Sequence, residues 1–257
     1  GENPLTGLVV NYYLRDVPQV EIGLEFLKAD DTIIAVFNHN GANGNTVPAK
    51  PGMNQFVWDL SYADRDGHLP SAPAIIPPGS YKVRLKVGDS VVERAVTLLK
   101  DPRLASNSDD LEEQSALILK IRAKLVETSD FLQDLREICR QVTDWTDRAR
   151  TVAGRESVMD AATDVLARLD SVERVVTKDH LPNKVDLPPS CLDEKLAQLT
   201  YAVATSGGKP TSQSYQVLDD VSERIDEQIG AFQQIRENEI RAFLSLIQDL
   251  DVPLITP

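Results

Sequence analysis

The sequence has few of the residues on which catalysis and metal binding usually depend. Its 257 residues include two cysteines, two tryptophans and three histidines, and only 5% are aromatic. The histidines, His39, His68 and His180, lie far apart, and none has a partner at the spacing of a metal site. We therefore predict surface loop positions for them, and we predict no catalytic residue, no metal and no cofactor.

Several well-known motifs are also missing. Gly41 and Gly44 lie in an Asn-rich loop, but no Lys-Ser or Lys-Thr follows, which excludes a phosphate-binding P-loop. No G-x-S-x-G elbow and no Glu-x-x-His pair occurs, which argues against a hydrolase serine and a di-iron site. The stretch from Asp64 to Gly67 lacks the rest of a calcium loop and is more typical of an Asp-stabilised turn.

Long apolar runs are absent, and positive charge is scarce. No stretch of about 18 apolar residues occurs, so we predict no membrane insertion. The net charge is −13. Nine basic and twelve acidic residues fall at or before Asp101, which gives this part a charge of −3 and leaves −10 for the remainder of the chain. An acidic surface repels phosphate backbones and anionic lipids, and we therefore predict no nucleic-acid partner.

The two cysteines leave two interpretations open. Cys139 falls on the apolar stripe of a predicted helix, where a thiol behaves as a small hydrophobic side chain. Cys191 falls in the first turn of another helix, where the helix dipole lowers a thiol pKa. Their spacing matches no disulfide or zinc scaffold, so we favour two structural thiols, with one disulfide as the alternative.

The first hundred residues carry the alternation of β-strands. Phe56, Trp58 and Leu60 share one face of a strand, so we place Trp58 in a hydrophobic core. In the next strand, Tyr81 to Val87, the outward residues are all cations. Further strands are predicted over 8–14, 20–26, 32–37 and 90–99. The strand over 20–26 is expected to bury one face, and the strand over 90–99 follows a turn at Gly88. Short strands separated by turn signals are typical of a β-sandwich.

Beyond the Asp101-Pro102-Arg103 turn, helical periodicity replaces alternation. A heptad pattern predicts a helix from Ser108 or Asp109 to Ala153, roughly 65 Å long, with Gly154 as its left-handed cap. Further helices are predicted over 156–177, after Ser190, and from Thr211 to just before Pro253. The heptad positions of the first helix are Leu111, Ile118, Ile121, Leu125, Thr128, Leu132, Leu135, Cys139, Val142 and Ala149.

These elements predict an α+β protein of two domains. An Ig-like antiparallel β-sandwich over residues 1–101 precedes an elongated helical bundle over 102–257, with two long and two short helices. At the Pro-rich segment 178–189, the third helix either continues in the direction of the second or folds back on it. The stripe formed by Ile118, Leu119, Ile121 and Leu125 is covered by the chain's own helices, by a second copy or by a partner protein.

Two motif sets carry a resemblance to known families. Trp58-Asp59, Asp66-Gly67 and Pro78-Gly79-Ser80-Tyr81 resemble the Ig-like domain of the flagellar hook-capping (FlgD-like) type, although Leu60 stands where that family usually has Gly. The whole chain is similar to the C-terminal region of secreted bacterial proteins with sialidase-like or sortilin-like BNR-repeat β-propellers. The matching stretches are FVWDL at 56–60, PPGSY at 77–81, DPRL at 101–104 and GGKPT at 207–211.

This resemblance implies export to the periplasm or the cell exterior, and it carries no catalytic residue into this chain. Proteins of that kind are often labelled glycosyl hydrolases, but no Asp-box of their propellers occurs here. We therefore expect a non-catalytic accessory region that binds its parent propeller, another protein or itself. The alternative is part of a glycoside hydrolase that contributes to carbohydrate binding or hydrolysis, with carboxylates that the sequence does not locate.

Overall fold

The computed structural model describes residues 7–40, 46–62, 76–150, 154–177 and 191–250. Strands occupy the first part of the chain and helices the rest, which confirms the α+β class. The chain divides into two compact units. The first consists of Gly1–Leu119 and Val203–Pro210, and the second consists of Lys120–Ala202 and Thr211–Pro257. Because the first unit includes the beginning of the first helix, the domain boundary at 101/102 stays a prediction.

The described strands form two antiparallel sheets. The smaller sheet pairs β1 with β4, and the larger has the order β3-β2-β5-β6. A two-residue turn joins β5 to β6, where Gly88 adopts the left-handed φ of 55° that glycine tolerates. The bounds are β1 Leu8–Leu14, β2 Ile22–Lys28, β3 Ile33–Asn38, β4 Gly52–Trp58, β5 Gly79–Val87 and β6 Ser90–Leu98.

One hydrophobic cluster contains side chains from both sheets. Trp58 is 1% exposed, and its ring stacks on Phe26 with the centroids 4.1 Å apart. The indole N–H donates to the Ser61 carbonyl oxygen at 3.0 Å, so this polar atom is satisfied within the cluster. The prediction that Trp58 lies in the core is confirmed.

Two strand predictions were wrong in detail. β2 is expected to bury one face, but Ile22 to Leu27 are all buried, because side chains of the neighbouring strand β5, such as Arg84 and Lys86 at Glu25, cover the second face. β4 was expected to include Leu60, but it ends at Trp58. Leu60 itself adopts a left-handed φ of 63°, a conformation that costs a non-glycine residue about 1 kcal/mol. Its side chain still packs against the cluster.

The helices begin close to their predicted positions. Their bounds are α1 Ser108–Ala149, α2 Arg155–Val176, α3 Leu192–Thr205, α4 Ser212–Ile235 and α5 Arg241–Asp249, with a π-helical turn over Arg236–Ile240 between the last two. α1 ends at Ala149, before the predicted Ala153. Gly154 is left-handed as predicted, with a φ of 85°, but it precedes α2 instead of capping α1. The segment 178–189 lies outside the described residues.

The predicted inward positions of the helices are largely buried. All six positions predicted for α2 are buried, and on α1 the polar exception Thr128 is buried too, with its hydroxyl donating to the Lys124 carbonyl oxygen at 2.7 Å. Ile118, Ile121 and Leu125 are buried and Leu119 is half-buried, so the chain itself covers this stripe. None of the described helices combines the length and the apolar character needed to cross a bilayer.

Candidate functional site

Of the three histidines, only His39 lies in the described part of the chain. His39 is exposed, and its Nδ1 lies 2.9 Å from the Val47 carbonyl oxygen, which gives it a structural hydrogen bond. His68, His180 and the Asp64–Gly67 turn lie outside the described residues. Within the described ranges, no three His, Cys, Asp or Glu side chains come close enough together to hold a metal ion.

Cys139 and Cys191 are not joined by a disulfide, so the disulfide alternative is not realised. Cys191 is buried, and Cys139 is half-buried against the helical core. Burial, followed by the nearby carboxylates of Glu173 and Asp170, raises the pKa of the Cys139 thiol to about 11. Because the thiolate is the reactive form, this environment makes Cys139 inert and structural.

We expect Cys139 to react slowly with a disulfide reagent in the folded protein. With Cys191 replaced by alanine, labelling at pH 8 should be about a hundredfold slower than in the denatured chain, since a pKa raised by about two units lowers the thiolate fraction by that factor. The absorbance of the thiolate that the reagent releases on each reaction measures the rate. Labelling of the folded variant at the denatured rate would show that Cys139 is exposed and reactive.

The surface that the sequence analysis missed is the outward side of the smaller sheet. It consists of three cross-strand pairs, which we call the β1–β4 outer face: Val9 with Val57, Asn11 with Gln55, and Tyr13 with Met53. Tyr13 is 67% exposed and Met53 is 71% exposed, although both are large side chains. The Gln55 amide donates to the Asn11 Oδ1 at 3.1 Å between the two apolar pairs.

The formation of this face follows from strand alternation. Tyr12, Leu14, Phe56 and Trp58 turn inward, so their neighbours along each strand turn outward. All six outward residues are uncharged, although 26% of the chain is charged. The sequence did carry this signal, because Val9, Asn11 and Tyr13 alternate with the buried positions, but alternation alone does not show that the outward side stays uncovered.

A second outward surface, on the larger sheet, is charged. The predicted cations of β5, Lys82, Arg84 and Lys86, face outward as expected. Arg84 and Lys86 both bind the buried carboxylate of Glu25 on β2. Burial alone would raise the pKa of Glu25, but the hydrogen bonds from Lys86 and Arg84 outweigh burial and lower it. These charges satisfy one another, which is typical of a structural network.

A groove of about 620 Å³ lies within the first unit, between the β2–β3 turn, the segment 77–81 and the first turns of α1. Tyr81 donates to the Pro77 carbonyl oxygen at 2.7 Å, and burial raises its pKa to about 12. Glu113, at the rim, binds Lys209 at 3.0 Å. The Ser115 hydroxyl is buried in the wall and has no hydrogen-bond partner among the described residues. A phenol that stays protonated at neutral pH does not supply the base that a serine nucleophile requires.

The β1–β4 outer face is therefore the feature of the described surface that best fits a function. It combines exposed aromatic and thioether side chains with a paired amide centre, whereas the charges on the larger sheet satisfy one another. No protein-family model, no curated protein and no solved structure was found to match this chain.

Proposed function

We propose that this chain is a non-catalytic accessory region of a larger, exported β-propeller protein, and that it docks on that propeller through the β1–β4 outer face. In this proposal the two sheets are the layers of an Ig-like sandwich, and the helices form an elongated bundle. The location is the periplasm or the cell exterior.

Two observations support the fold part of the proposal. The sheets are both antiparallel, and one cluster contains the inward side chains of each, as in a sandwich. Leu60 stands where the FlgD-like family usually has Gly, and its φ of 63° is a conformation that glycine adopts without strain. The backbone thus has the shape that the family's glycine would favour, even though the side chain differs.

The observation that carries the functional part is the exposure of Tyr13 opposite Met53. Tyrosine and methionine are enriched in protein interfaces, and charged residues are depleted at the centre of an interface. The β1–β4 outer face has this composition in a protein whose net charge is −13. A flexible thioether beside a rigid phenol also adapts to the shape of a partner surface.

We expect the double substitution Tyr13→Ala, Met53→Ala to weaken binding to the propeller of the same protein by at least about tenfold, the usual scale for a central aromatic anchor. Biolayer interferometry with the immobilised chain measures the affinity. Tyr201→Ala is the matched control, because Tyr201 is a similarly exposed tyrosine on α3. Equal affinity for the double variant and the wild type would contradict the proposal, as would an encoding gene without propeller repeats.

The second candidate function is carbohydrate binding, which one observation favours. Tyr13 lies on the same strand face as the Asn11–Gln55 amide pair, and an exposed phenol next to amides offers a ring for stacking together with hydrogen-bond donors and acceptors. A glycoside and polysaccharide panel separates the candidates. Polysaccharide binding that Tyr13→Ala abolishes would support this second function. Turnover that one carboxylate substitution abolishes would establish a glycosidase and overturn the non-catalytic proposal.

A further inference from the structure

β6 is an edge strand with an unusually long free side. It pairs with β5 in an unbroken register over all nine of its residues, from Ser90 opposite Val87 to Leu98 opposite Gly79. Its other side has no partner strand among the described residues. Proteins commonly interrupt such edges with proline, a bulge or a short strand, because an unpaired edge invites another chain to pair with it. β6 contains none of these interruptions.

The hydrogen bonds of the sheet show which β6 amides point outward. The Gly88 N–H donates to the Glu21 carbonyl oxygen at 2.9 Å, on the side of β2. Backbone groups alternate in direction along a strand, so the even-numbered residues of β5 face β2 and the odd-numbered ones face β6. On β6 the even-numbered residues therefore face β5. The N–H and C=O groups of Val91, Glu93, Ala95 and Thr97 point away from the sheet.

The side chains along this edge are apolar and exposed at both ends of the strand. Val91 is 54% exposed, Val92 is 52% exposed, and Leu99, just past the end of β6, is 85% exposed. Val91 and Leu99 share the outward face of the sheet, while Val92 and Leu98 share the opposite face. The charged residues Glu93 and Arg94 occupy the middle.

We propose that β6 pairs antiparallel with β6 of a second copy of this chain, about a two-fold axis at Ala95. This register places Val91 opposite the second copy's Leu99, both exposed, and Val92, also exposed, opposite its partly buried Leu98, so that apolar side chains meet on both faces. Glu93 then lies opposite Thr97, and Arg94 opposite Val96. The odd-numbered amides of the two copies form about six hydrogen bonds, two for each hydrogen-bonded pair.

Other registers are less favourable. An axis at Glu93 or at Arg94 places like charges directly opposite each other, which destabilises a strand pair. An axis at Val96 places Val92 opposite Lys100 and Glu93 opposite Leu99, so that each exposed apolar residue meets a charge. Within β6, the axis at Ala95 avoids both problems. It joins the two four-stranded sheets into one continuous sheet.

A charge-swap experiment tests this register. Light scattering on the whole chain from about 1 μM to about 1 mM, the range in which modest interfaces form, should show the mass doubling. Ala95→Glu and Ala95→Lys should each abolish the doubling, because like charges would face each other across the axis. An equimolar mixture of the two variants should restore it. Ile33→Glu, at an exposed position on β3 at the opposite edge of the sheet, is the matched control and should leave the doubling unchanged.

Hydrogen exchange provides a second readout that needs no substitution. As the concentration rises, the amides of Glu93, Ala95 and Thr97 should become protected, while those of Val92 and Arg94 should be protected throughout by β5. A wild-type chain that stays monomeric over the whole range overturns the proposal. So does a dimer that both Ala95 variants retain, or one whose odd-numbered β6 amides stay unprotected. Since β6 is separate from the β1–β4 outer face, none of these outcomes bears on binding to the propeller.

Discussion

Replacing Trp58 by alanine is expected to destabilise the strand-containing unit by about 3–5 kcal/mol, one of the two largest effects of any substitution considered. The indole is 1% exposed and stacks on Phe26. Its removal leaves a cavity between the two sheets and also removes the hydrogen bond to the Ser61 carbonyl oxygen. Both losses act on the folded state, so the free energy of unfolding should fall.

Urea unfolding followed by circular dichroism measures this change. Tyr13→Ala is the control, because Tyr13 is an exposed aromatic side chain in the same sheet and should change the free energy of unfolding by about 0.5 kcal/mol or less. Since the chain has two compact units, the transition that Trp58→Ala shifts identifies the unit that contains the strands. A near-neutral Trp58→Ala variant would show that the indole lies outside the core.

Replacing Glu25 by glutamine is expected to lower the free energy of unfolding by about 1.5–3 kcal/mol at pH 7, the scale of hydrogen bonds to charged groups. The Glu25 carboxylate is buried and accepts from Arg84 Nη1 at 3.1 Å and from Lys86 Nζ. A neutral amide at this position removes the charged partner of Lys86 and one of the carboxylate partners of Arg84, which keeps Glu93, and it offers only one oxygen as acceptor.

The pH dependence gives this prediction its sign. Because the pKa of Glu25 is lower in the folded protein than its ordinary value of 4.5, its stabilisation is fully present above that value and is lost as the pH falls through the folded pKa. The difference between wild type and Glu25→Gln in urea unfolding should therefore shrink towards zero in acid. Glu21→Gln, at an exposed position just before β2, is the control. A difference that stays constant down to the lowest pH would show that the carboxylate charge has no role.

Alternation predicted the strands well, but it does not show which strand is central. The sequence placed Trp58 inward and Lys82, Arg84 and Lys86 outward, and the structure agrees. It did not reveal that β2 is buried on both faces. The residues responsible, such as the Arg84 partner of Glu25, lie 59 positions away along the chain. A pairing over that distance depends on the order of the strands, which local periodicity does not encode.

In the last helical segment, the sequence contains a one-residue break in its heptad spacing. Leu218, Ile225 and Phe232 follow a seven-residue spacing that would continue to 246, but the buried residue is Ile247. Val221 and Ile235 follow the same spacing towards 242, but the buried residue is Phe243. The π-helical turn over Arg236–Ile240 adds one residue and returns these side chains to the inward face. The break in the heptad pattern thus indicates the turn. The exposure of Tyr13 and Met53, in contrast, depends on what covers the smaller sheet, and no local pattern predicts it.

Hydroxyl-radical footprinting tests the docking of the β1–β4 outer face most directly, because methionine and tyrosine side chains oxidise according to their exposure. The chain contains two methionines, so Met53 and Tyr13 on the proposed interface can be compared with Met159 and Tyr201 on the helices, which are also exposed. We expect oxidation of Met53 and Tyr13 to fall severalfold in the proposed propeller-containing parent relative to the isolated chain, while Met159 and Tyr201 stay unchanged. Equal oxidation of Met53 and Tyr13 in both proteins would contradict the account.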